Sequence, residues 1–100
     1  MKIFSPGSMV RLWILYQENG VAVSGLTNLT VTGIDNAGNT VLAEQQLTEV
    51  AGTGEYFYNW NTAGIALETV VRVFYRMDDD VLYDEEYLIE NIEDDDGRAF

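Results

Sequence analysis

Apolar and polar residues alternate with a period of two along much of this chain, which is the pattern of strands that bury one face. Its plainest instance lies in Gly54-Glu55-Tyr56-Phe57-Tyr58-Asn59-Trp60-Asn61, where Tyr56, Tyr58 and Trp60 share one side. Glu55, Asn59 and Asn61 fall on the other, and glycines at 52, 54 and 64 close both ends. Two further segments are apolar on both faces. In Met9–Gln17, Val10, Leu12, Ile14 and Tyr16 face one way, and Trp13 and Leu15 face the other beside Arg11. In Glu68–Met77, Val71, Val73 and Tyr75 oppose Val70, Arg72, Phe74 and Arg76. Such strands belong in the middle of a sandwich or beneath a neighbouring subunit.

The remaining chain supplies partners and turns. Asn19-Gly20 marks a tight hairpin, because both central residues of a type I′ turn need positive φ. Val21–Gly25 is a short strand or an extended link, and Leu26–Ile34 a strand with Leu29 and Val31 inward. Asp35–Asn39 is a turn rich in residues that tolerate left-handed backbone. Val41–Thr48 has helix-forming Ala, Glu and Gln but stands between strands, and is read as a strand. Ile65-Ala66-Leu67 is one helical turn or a plain loop. Asp78-Asp79-Asp80 turns the chain into Val81–Ile89, with Val81, Tyr83, Tyr87 and Ile89 on one face and Asp84, Glu86 and Glu90 on the other. The fold expected is an all-β, antiparallel two-sheet sandwich of six to seven strands. Residues 1–8 read as an N-terminal arm, 9–90 as the sandwich domain and 91–100 as an acidic C-terminal tail.

Composition narrows the chemistry. The chain has no histidine and no cysteine, so it lacks the usual neutral-pH base, the commonest metal ligand and any disulfide. Its three serines have no histidine to activate them. The longest apolar run, Leu12–Tyr16, falls far short of the roughly 18 residues a membrane helix needs. No signal peptide is evident, and the sequence reads as a complete, non-secreted product. Seventeen acidic residues against five basic ones give a net charge of −12. That charge disfavours direct contact with nucleic acid or with anionic membranes.

The order of features is that of a known class. Asp35-Asn36-Ala37-Gly38, Gly54-Glu55-Tyr56-Phe57-Tyr58-Asn59-Trp60 and Val71-Arg72-Val73-Phe74-Tyr75 together resemble the small immunoglobulin-like sandwich domains of tailed-phage virion proteins and bacterial surface proteins. The resemblance covers residues 9–90 and implies a virion component, assembled in the host cytoplasm, whose partners are other virion proteins and copies of itself.

Each candidate site has a plain structural alternative. The row Tyr56–Tyr58–Trp60 could stack sugars, yet its alternation is that of a strand lining a core. Asp94-Asp95-Asp96-Gly97 approaches a calcium loop, but Ile92 stands where a ligand is needed, so no metal site is assigned. Asp84, Glu85 and Glu86 could suggest acid–base chemistry, but they alternate across a strand with no cleft implied. No catalytic residue and no cofactor is assigned. The residues placed at an interface are Arg11, Trp13, Leu15, Arg72, Phe74 and Arg76, which form the second apolar faces. The function expected is a non-enzymatic structural protein of a larger particle. The alternatives are an acidic DNA mimic, since eleven of the seventeen acids lie in 78–100, and a carbohydrate-binding adhesin module.

Overall fold

The computed structural model describes residues 2–5 and 7–89. The acidic tail, 91–100, lies outside the described residues, as does Glu90. In chain order the strands are β1 (Lys2–Phe4), β2 (Met9–Leu15), β3 (Gln17–Glu18), β4 (Val21–Ala22) and β5 (Leu29–Asp35). They continue with β6 (Thr40–Gln46), β7 (Thr48–Val50), β8 (Glu55–Asn61), β9 (Thr69–Met77) and β10 (Asp80–Ile89). Among the described residues there is no helix, so Ile65–Leu67 is loop and Val41–Thr48 is largely strand.

A five-stranded sheet in the order β1-β10-β9-β5-β6 packs on a three-stranded sheet in the order β2-β8-β7, with β3 and β4 as a separate hairpin. Two expectations change here. Among the described residues ten strands replace six or seven, because β1, β3, β4 and β7 span only two or three residues and carry no readable alternation. The larger sheet is also mixed, since β1 joins β10 in parallel, Lys2 opposite Tyr87 and Phe4 opposite Ile89. The first residues, read as an arm, thus include an edge strand. Phe4 stacks on Tyr87 with ring centroids 5.4 Å apart, which ties that edge to the core.

The inward faces follow the period-two reading. Val71, Val73 and Tyr75 of β9 are buried, and they meet Val10 and Leu12 of β2 and Leu29 and Val31 of β5. Tyr56 and Trp60 are buried with them, and Tyr58 is partly buried against the same core. The aromatic row is therefore interior, which removes it as a sugar platform. Trp60 meets Tyr87 edge-on at 5.9 Å across the two sheets. The Tyr56 hydroxyl donates to the Val23 carbonyl at 2.8 Å and accepts from the Leu26 amide at 3.2 Å, pinning the link between β4 and β5.

Two turns require their residues. Asn19 and Gly20 have φ of 54° and 79°, the left-handed pair a type I′ hairpin demands. Gly54 has φ of 77°, and a Cβ there would come within 2.7 Å of the Ala22 Cβ. At the β9–β10 hairpin, Val81 pairs with Arg76 but Tyr83 with Tyr75, so one extra residue is inserted. This bulge puts Val81 on the opposite face from Tyr83, against the expectation that they share one.

Candidate binding groove

The two sheets differ in width, and the difference creates the groove. The small sheet ends at β2, whereas the large sheet carries its inner face on through β10 to β1. The resulting groove of about 400 Å³ has Lys2, Tyr83, Glu85 and Tyr87 on one side and Arg11, Trp13, Ile14 and Leu15 of β2 on the other.

The β2 wall is a strand edge. Thr62 donates its amide to the Ser8 carbonyl at 3.1 Å, and Tyr16 donates to the Gly54 carbonyl at 3.0 Å. With the continuous register from Met9–Asn61 to Leu15–Glu55, the even-numbered residues of β2 thus bond to β8. Met9, Arg11, Trp13 and Leu15 turn their N–H and C=O groups to the free edge. Among the described residues no strand pairs with that edge. The Trp13 amide instead sits against the Tyr75 hydroxyl, where it opposes the upward pull of burial on that phenol. The same four residues expose their side chains on the outer face of the small sheet, Trp13 at 52% and Leu15 at 46%. Arg11 lies over the Phe57 ring at 3.9 Å, and no salt bridge joins it to a described carboxylate.

On the other side, Glu85 takes an inward position because it is paired with buried Val73. It accepts a hydrogen bond of 2.6 Å from the Tyr87 hydroxyl and pairs with the Lys2 ammonium at 3.0 Å. Burial raises its carboxyl pKa, but these two partners outweigh burial and hold it below its ordinary value. Burial pushes the Tyr75 hydroxyl up to about 12, and burial with the Glu85 carboxylate beside it raises Tyr87 further. The base of the groove thus keeps a charged acid, its ammonium and neutral phenols in fixed places.

The six residues read as an interface do not form one surface. Arg11, Trp13 and Leu15 stand on the outside of the small sheet, and Arg72, Phe74 and Arg76 on the outside of the large one. Arg72 is engaged by Asp84 at 2.8 Å and Glu86 at 3.1 Å, a cross-strand ion network. The reading missed Lys2, Tyr83, Glu85 and Tyr87 as a group. A signal existed in the acid at Glu85, which interrupts the inward alternation between Tyr83 and Tyr87.

The acidic turns hold no comparable site. Asp35 accepts from the amides of Ala37 and Asn39 at 2.9 and 2.8 Å. The Asn39 amide above all keeps its pKa low, so this carboxylate closes its own turn. Among the described residues no group of three or more acids is placed to hold a metal ion. No protein-family model, curated protein or solved structure matches this chain.

Proposed function

We propose that this chain is a non-enzymatic structural protein that assembles, with copies of itself and with other proteins, into a larger particle of the virion type. The observation that carries the reading is the exposed apolar band of β2, with Met9, Trp13 and Leu15 each about half exposed or more. A chain of this size has polar residues enough to cover a strand face that meets only water, and clustered exposed apolar side chains mark contact surfaces. The immunoglobulin-like resemblance of 54–60 and 71–75 supports the virion setting, with assembly in the host cytoplasm. The absence of histidine and cysteine from the sequence favours a contact role over catalysis.

In such a role the sheet faces and edges make the contacts, and the strong negative charge keeps unassembled copies apart. High salt screens that repulsion and leaves the apolar contact intact. Size-exclusion chromatography with light scattering, at low and at multimolar salt, tests this. Oligomers that grow with protein concentration and salt are expected. A strict monomer at the highest concentration in both salts ends the reading.

A further inference from the structure

We propose that the groove beside β2 accepts one extended segment of a partner protein, laid along β2 as a fourth strand of the small sheet. The segment would be apolar on the face it turns to β10 and would carry a carboxylate on its outer face, beside Arg11. This deepens the assembly reading and rests on it.

Four observations select a strand. Met9, Arg11 and Leu15 present backbone donors and acceptors to the free edge, and apart from the charge of Arg11 β2 has none of the usual defences of an edge strand. It is seven residues long, keeps an unshifted register with β8, and contains no proline or lysine. Tyr83 continues the inner face of the large sheet beyond β2 and stays half exposed, because the small sheet has no strand there to cover it. A volume of about 400 Å³ suits the inward side chains of a short strand and not a domain face. Strand addition of this kind takes affinity from main-chain bonds and specificity from alternate side chains.

Charge selects the segment. From Ser8 to Gln17 the chain has no acid, and the groove holds two of the five cations, Lys2 and Arg11, in a molecule of net charge −12. Glu85 is already matched by Lys2, which leaves Arg11 to face the newcomer. On β2 the Arg11 side chain stands on the outer face, so a carboxylate on the same face of a neighbouring strand meets it as a cross-strand pair. A second copy fits poorly. Two β2 edges meeting about a twofold axis would bring both overhanging β10–β1 ledges into one space. Residues 90–100 fit poorly too, because acids fill 93–96 and either alternation would turn a carboxylate toward the groove that already holds Glu85.

The test uses a synthetic peptide matching the seven residues of β2, with valine at alternate positions, threonine between them and glutamate at the centre. Binding to the full chain should shift Trp13 emission to the blue and slow amide exchange at Met9, Arg11 and Leu15. N-methylation of the peptide's edge-facing amides should weaken binding by at least about tenfold. Exchanging the glutamate for lysine should weaken it about three- to tenfold, and Arg11→Glu should reverse that preference. Arg11 is exposed, and circular dichroism establishes that the variant is folded. No binding at millimolar peptide, or equal binding of the N-methylated form, overturns the proposal. So does protection of the β2 edge without peptide, whether it grows with protein concentration, as for a second copy, or vanishes on truncation after Ile89. Peptide binding by a strict monomer would retain the groove and remove the assembly reading alone.

Discussion

The molecule contains two tryptophans on neighbouring strands of the same small sheet, and they have opposite fates. Trp60, on β8, is 2% exposed, whereas Trp13, on β2, is 52% exposed. Both stand in strands with strong β formers and regular alternation, so local preference does not separate them. Parity and position do. Trp60 points inward from a central strand, over Tyr87, while Trp13 points outward from the strand where the sheet stops. A large aromatic is thus a core element or a contact element according to what lies opposite.

The largest test of that contrast is Trp60→Ala. Removing a fully buried indole leaves a cavity between the sheets and should cost about 3–5 kcal/mol, read by chemical denaturation. Next comes Tyr56→Phe. It keeps the ring in place but strips the Val23 carbonyl and the Leu26 amide of their shared hydroxyl, at a cost of about 1–3 kcal/mol.

The groove has its own pH signature. Glu85 has a folded pKa below its ordinary 4.5, so its stabilisation is present above that value and is lost as pH falls through the lower folded pKa. Tyr75 moves the other way, from 10.0 to about 12, so stability falls as pH rises between those values. Glu85→Gln should flatten the acid limb of a stability–pH curve and also soften the Tyr75 limb, since the Glu85 charge adds to burial in raising that phenol.

Smaller still is Arg72→Ala. Its two ion pairs lie on the exposed outer face, where such pairs contribute about 0–1 kcal/mol. Trp13→Ala should change stability least, by within about 0.5 kcal/mol, while weakening association. If Trp13→Ala destabilised as much as Trp60→Ala, the division between core and contact aromatics would be wrong.

Sequence pattern made the interior legible where alternation was unbroken. Tyr56, Trp60, Val71, Val73 and Tyr75 all fall where period two puts them. The Asn19-Gly20 hairpin was equally plain, because its backbone angles belong to few residue types. The groove was not legible. It joins Lys2 to Glu85 through a parallel pairing that no local pattern announces, and its neighbour Tyr83 follows a bulge that breaks parity with Val81. Arg72 and Arg11 look alike in sequence as cations on apolar strands. Only the partners across the sheet distinguish them, since Asp84 and Glu86 flank one and an aromatic ring underlies the other.

The parallel pairing of β1 with β10 also sets a clock. Lys2 cannot meet Tyr87 until nearly all of the sandwich has left the ribosome, and β2 must wait for β8 in the same way. Closing such long loops is slow, and β2 stays open along both edges meanwhile. The strand with the least protection in the finished molecule is thus also exposed early in its synthesis, and a partner already present could reach it before the sandwich closes.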